Sequence, residues 1–277
     1  MINSKNHTVK TNNGVTYLTF PKLDKFPVLR HGFSTRLGGK SEGYYSAMNL
    51  SFNVGDNPDV VKENYRILCG ALEIDPENLI ISHQTHKTNI LTVGKKDCGK
   101  NIWRERDYSD IDAFITNEHG VALVTHSADC CLLAFFDPEK QVIAAAHAGW
   151  RGTAAEIGRK VVEKMAADYH CNPKNIVVGI APSIGKCCYE VDDPVFNEFK
   201  KLEYLDLSKI FCHKKNGKYM LDLWEANSQI LESAGIKREN IDVTDVCTNC
   251  QSEYFHSHRA TGGKRGVNGL VMMLKSE

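Results

Sequence analysis

Apolar residues recur every three to four positions in three stretches of the chain. After Asn57-Pro58, the residues Val61, Tyr65, Leu68 and Leu72 form one stripe. That stripe predicts a helix with Pro58 in its first turn, where the missing N–H costs nothing. Thr153 and Glu156 have capping-box spacing, and Ile157, Val161, Met165 and Tyr169 follow at four-residue steps, predicting a second helix. A third runs from about Leu221 to Ala234 and stops at Gly235. Between the helices the pattern changes to short β-rich runs: Val15–Phe20, Asn89–Val93, Ala113–Thr116, Val121–Thr125, Leu132–Phe136, Val142–Ala146, Ile176–Ile180 and Leu270–Leu274.

Several of these strands come consecutively before the second helix, and the last lies far from the others in sequence. A doubly wound parallel sheet alternates strand and helix, so an α+β fold of mixed sheets layered with helices is expected instead. No repeat, low-complexity tract or Pro/Gly/Ser-rich linker divides residues 1–277, so one domain is expected.

Composition narrows the function classes. The chain is 42% hydrophobic, enough for a large core, and its 34 Lys+Arg offset its 34 Asp+Glu. Zero net charge argues against binding to nucleic acid or to an anionic membrane, while leaving room for a small phosphorylated ligand held by one local basic turn. The most apolar region, Val121–Phe136, is interrupted by Thr125, His126, Ser127 and Asp129, so no membrane span is expected. The N-terminal residues lack an apolar stretch of the kind that secretory signals carry. Ten cysteines spread over such a chain, two pairs of them adjacent (Cys130-Cys131 and Cys187-Cys188), read as reduced thiols in a cytoplasmic protein.

Polar and sulfur side chains gather in Thr125-His126-Ser127-Ala128-Asp129-Cys130-Cys131 and in Ala146-His147-Ala148-Gly149-Trp150-Arg151-Gly152. Burying Asp, Cys and His at strand ends costs free energy unless they are paired or ligated. Ser82-His83-Gln84-Thr85-His86 is a third such segment, and if extended it directs His83 and His86 to opposite faces. One histidine from it, with Cys130 and His147, would make a three-ligand zinc site open to water. The same Cys130 and His147 equally suit a metal-free nucleophile and its base.

Two basic segments are candidates for anions. Ser34-Thr35-Arg36-Leu37-Gly38-Gly39-Lys40 brings a guanidinium, hydroxyls and two glycines into one turn, though it is not a Walker A loop. Phe255–Arg259 followed by Gly262–Gly266 adds three cations that could form a second wall. Cys247-Thr248-Asn249-Cys250 with His256 and His258 has the outline of a zinc motif. It has no second CxxC, however, and a histidine spacing too short for a finger, so no structural zinc is expected there.

Taken together, the chain resembles the YfiH family, also called the laccase-domain or polyphenol oxidoreductase family, from His31 to about Leu274. The motifs that carry the resemblance are His31-Gly32-Phe33-Ser34-Thr35-Arg36-Leu37-Gly38-Gly39, Met48-Asn49-Leu50, Gln84-Thr85-His86, Ala128-Asp129-Cys130, His147-Ala148-Gly149-Trp150-Arg151-Gly152 and Pro182-Ser183-Ile184-Gly185. The chain departs from the family pattern at Ala181, where a glycine is usual, and at Lys264-Arg265-Gly266.

The resemblance implies a zinc-dependent purine nucleoside phosphorylase with adenosine deaminase activity. Its metal ligands fall on His86, Cys130 and His147. Arg36 and Ser34 become the expected phosphate ligands, with Asn49, Gln84 and Arg151 as further substrate contacts. Asp129, beside a ligand, is the expected residue to orient it or to shuttle a proton. Competing expectations are a cysteine hydrolase or amidase using Cys130 and His147, for example on cell-wall precursors, and a non-catalytic protein that keeps zinc for stability. Copper polyphenol oxidation ranks low, because the chain has a single His-x-His element; copper bound in vitro could still give an oxidase signal.

Overall fold

A computed structural model describes residues 2–276. The strands are β1 (Thr8–Asn12), β2 (Val15–Thr19), β3 (Leu29–Ser34), β4 (Leu79–Ile81), β5 (Ile90–Thr92), β6 (Ala113–Thr116), β7 (Ala122–Ser127), β8 (Cys131–Asp137), β9 (Val142–Ala148), β10 (Val177–Ile180), β11 (Glu190–Val191), β12 (Phe211–His213), β13 (Tyr219–Leu221), β14 (Ile241–Val243) and β15 (Asn268–Leu274). The helices are α1 (Pro58–Leu72), α2 (Trp150–Ala154), α3 (Ile157–Tyr169), α4 (Asp193–Lys200), α5 (Leu207–Ile210), α6 (Leu223–Ser233) and α7 (His258–Thr261).

Two six-stranded mixed sheets, ordered β1-β2-β3-β15-β7-β4 and β14-β10-β8-β9-β6-β5, are joined by a small third sheet, β11-β13-β12. This is the α+β arrangement of mixed sheets and helices that the strand order predicts.

Strand parity shows how the layers stack. On β8 the residues Leu132, Ala134 and Phe136 face a core shared with Leu270, Met272 and Leu274 of β15, so the two large sheets pack face to face. The alternate residues Cys131, Leu133 and Phe135 face α3 and α6. On the far side of the first sheet, Val271 and Met273 of β15 meet Val61, Tyr65 and Leu68 of α1. Strands buried on both faces lose the polar alternation of a half-exposed sheet, which explains the near-continuous apolar runs in the sequence.

Helix α1 begins as its sequence predicts, with Asn57 Oδ1 accepting from the Asp59 N–H and Pro58 at the first position. The capping box expected at Thr153–Glu156 does not form. The chain enters a helix four residues earlier than that motif implies, and the Thr153 hydroxyl turns inward to donate to the Ala148 carbonyl. Glu156 then breaks the run with a left-handed backbone (φ 59°) before α3 starts. Among the described residues, no helix is long and apolar enough to cross a membrane.

Candidate active site

The chain crosses from the first large sheet to the second at neighbouring points. Ala128–Cys130 link β7 to β8, and residues 82–89 link β4 to β5. His147 has the inter-sheet parity of Ile143 and Ala145 near the end of β9. These segments enclose a cleft of about 550 Å³, within the range that suits a small molecule.

His86, Cys130 and His147 meet on its lining, with one ligand atom of each within 4.8 Å of the others. Their donor set of two imidazoles and a thiol fits zinc. Crowding fits as well: a Cβ on Gly149 would lie 2.9 Å from Cys130 Sγ and 3.1 Å from His86 Cδ2, so glycine keeps the space between these side chains clear. Burial on its own would raise the Cys130 thiol, but His147 and His86 outweigh it and lower it to about 6. Burial opposes charge on His147 too, yet Cys130 and Asp112 raise it to about 9.

Asp112 organises this trio and was not evident from the sequence. Its Oδ1 is 2.8 Å from His147 Nδ1 and accepts the His86 N–H at 3.0 Å. Oδ2 accepts the N–H groups of Thr85 at 3.1 Å and Lys87 at 3.0 Å. Burial would raise the carboxyl, but the His147 hydrogen bond and the Thr85 N–H hold it below the usual carboxylate range. With Nδ1 engaged, His147 offers Nε2 to the site. The only sequence signal for Asp112 is an acid placed directly before the apolar run of β6.

The loop wrapped round Asp112 is not extended as expected. His86 has φ 64°, and both His83 and His86 line the cleft. Opposite-face logic does separate Cys130 from Cys131, whose thiol packs inward 3.2 Å from Ser183 Oγ.

The other sequence candidates divide by place. Asp129 lines the cleft with a left-handed backbone (φ 98°), its carboxylate accepting from Thr248 Oγ1 at 2.7 Å and from the Arg259 N–H at 2.7 Å. Gln84 lines it as well, but its amide is occupied by both backbone groups of His126.

Arg36, Ser34, Asn49 and Arg151 do not line this cleft. The Arg36 guanidinium donates to the carbonyls of Ser46 and Ser252. Fully buried, Ser34 accepts from the Gly269 N–H, and Asn49 cross-links Ser51, Asp56 and Val267. Arg151 lies over the Trp150 ring at 4.3 Å. The cations that do reach the cleft come from the C-terminal basic stretch: Arg259 and Arg265, beside His258. Buried Arg265 Nε has no hydrogen-bond partner. Arg259, by contrast, donates to the carbonyls of Cys188 and Glu190. His256 and His258 do not join Cys247 and Cys250, since His256 is buried and His258 faces the cleft.

Fold and site together define a mixed-sheet α+β protein with a candidate His–Cys–His metal centre in a cleft between sheets. Residues 30–275 match the family described as multi-copper polyphenol oxidoreductase laccase, and the chain belongs to that family. It is 33% identical to the purine nucleoside phosphorylase of Bacteroides thetaiotaomicron over 92% of this chain and 96% of that one. Adenosine deaminase RL5 of an unknown prokaryotic organism is 30% identical over 84% of this chain and 90% of its own. The crystal structure of Bacillus licheniformis YfiH superposes with a TM-score of 0.91 at 31% identity, covering 96% of this chain and 99% of the other.

Proposed function

We propose that this protein is a purine nucleoside phosphorylase that also deaminates adenosine, with zinc held by His86, Cys130 and His147. The observation that carries the reading is the meeting of those three ligand atoms on the lining of a cleft that also receives Arg265. Zinc held by these residues would supply Lewis-acid polarisation and a nucleophile at neutral pH, which deamination at the purine C6 needs. Asp112 fixes the tautomer of His147 and the turn that carries His86.

Phe52, Trp150 and Tyr189 line the same cleft and offer faces against which a purine base can stack. Phosphorolysis needs phosphate near C1′ of the ribose. We assign that anion to Arg265, with His258 beside it, because the Arg265 Nε is buried without an acceptor. Asp129, fixed by Thr248 and the Arg259 N–H, is positioned to meet a substrate proton or hydroxyl. The ten free thiols, Cys188 and Cys250 unbridged at 3.3 Å, support a reducing compartment, and we place the enzyme in the cytoplasm.

The lowered Cys130 thiol beside His147 supports a second reading, a metal-free cysteine hydrolase. Copper oxidation has less support: two histidines and one cysteine are too few for a multicopper centre. Incubating the zinc-loaded protein with adenosine, with and without phosphate, separates these readings. Adenine formed only with phosphate establishes phosphorolysis, and inosine in either tube establishes deamination. Adenosine left intact in both tubes rejects the nucleoside reading and turns attention to amide substrates of Cys130.

A further inference from the structure

Cys187, Cys188, Cys247 and Cys250 converge away from the His–Cys–His trio, all four Sγ atoms lying within 4.8 Å of one another. We propose that these four thiolates hold a structural zinc ion that ties the turn after β10 to the turn after β14.

The spacing fits a metal better than disulfides. Cys188 and Cys250 Sγ lie 3.3 Å apart, and Cys187 and Cys250 Sγ 3.5 Å. A disulfide needs about 2.05 Å, whereas four sulfurs at about 2.3 Å round one zinc stand roughly 3.8 Å from each other. Two N–H donors already point at the cluster: the Gly185 N–H to Cys247 Sγ at 3.2 Å and Asn249 Nδ2 to Cys188 Sγ at 3.1 Å. Donors of this kind offset the negative charge of a tetrathiolate and orient its ligands. Each cysteine pair sits on its own turn, closed by Cys188 N–H to Gly185 O and by Gln251 N–H to Cys247 O. Four sulfurs in this arrangement select zinc among common divalent metals.

The sequence concealed the site because its second pair is a vicinal Cys-Cys, 62 residues away from Cys250 at Cys188, and not a second CxxC. Its placement gives it a task. The first turn follows Ile184, whose N–H donates to the Asp129 carbonyl, and leads into Tyr189 of the cleft wall. The second carries Thr248, which holds the Asp129 carboxylate, and the Arg259 guanidinium donates to the Cys188 carbonyl. Zinc in the thiolate cluster would therefore fix the part of the cleft wall formed by Asp129 and Tyr189.

The test counts metal and protected thiols in protein purified under reducing conditions without chelator. Two zinc ions per chain are expected in the wild type. A Cys187→Ser/Cys250→Ser double variant, changed only at exposed positions, should retain one, as should Cys130→Ser, each by loss of a different site. Cobalt added to metal-free Cys130→Ser protein should give the intense visible absorption of a tetrathiolate complex, and zinc should bleach it. Mass mapping after alkylation should find all four cysteines protected until a strong chelator is added. One zinc in the wild type with these four thiols freely alkylated overturns the proposal, as do a Cys188–Cys250 disulfide in the freshly purified protein and iron with acid-labile sulfide in place of zinc.

Discussion

Replacing Asp112 with Asn tests whether one carboxylate positions both histidines of the proposed metal site. Asp112 accepts four N–H groups, from Thr85, His86, Lys87 and the His147 ring. Asparagine keeps one oxygen and turns its NH2 donors toward whichever pair of N–H groups it no longer serves. Hydrogen bonds to a charged acceptor contribute about 1.5–3 kcal/mol each, so losing two costs about 3 kcal/mol or more. At roughly 2–4 °C per kcal/mol for a chain of this size, the metal-free protein should melt roughly 6–12 °C lower. Zinc affinity should fall by about 10–100-fold, the usual effect of removing the partner that orients a ligating histidine. The two quantities are read separately, by thermal melting of the apoprotein and by competition with a chromophoric chelator. A variant that melts early but binds zinc within twofold of the wild type would show Asp112 to be a scaffold residue only, and the positioning argument would fall.

Three further outcomes are expected. Arg265→Ala should raise the KM for phosphate about tenfold or more, the effect of losing a charge-assisted anion contact, while leaving phosphate-free deamination close to wild type; equal damage to both reactions would remove the anion assignment. Arg36→Ala should leave the KM for phosphate unchanged but lower the melting temperature, because the Ser46 and Ser252 carbonyls lose their donor; a rise in that KM would return Arg36 to the phosphate site. Burial pushes His31 down to about 4 and His256 down to about 3. Both imidazoles are thus neutral when folded and take up protons near pH 6.5 once unfolded, so their contribution is complete above that pH and is lost as pH falls toward 4. For His31 this is of order 3 kcal/mol, measurable as a fall in the urea midpoint between pH 7 and pH 4.5 that His256→Gln should make shallower; a flat midpoint would contradict the burial argument.

Helix α1 and the doubly buried strands were legible because their signals are local. Asn57-Pro58 and the stripe of Val61, Tyr65, Leu68 and Leu72 need no knowledge of the rest of the chain. The assignment of strands to sheets was not legible, since β7 and β8 are consecutive yet belong to different sheets, and that crossing depends on Asp129 adopting a left-handed backbone. The same limit hid Asp112. A buried acid before a strand gives no sequence cue to the three N–H groups it gathers from residues 85–87. Arg36 was placed near phosphate for the complementary reason: a basic turn resembles an anion site until its donors are traced to the Ser46 and Ser252 carbonyls, away from the cleft. Thr153–Glu156 had the right spacing for a cap, but the nearby Ala148 carbonyl captured the hydroxyl.

Strand β15 lies between β3 and β7 and pairs with both. During synthesis on the ribosome, then, β3 and β7 have each emerged with an unpaired edge long before the strand that separates them exists. A nascent chain in that condition is a template for β-pairing with other chains. Delayed or stalled synthesis ahead of Asn268 should therefore leave a species that depends on chaperones, while the second large sheet, complete once β14 has been made, can already be in place.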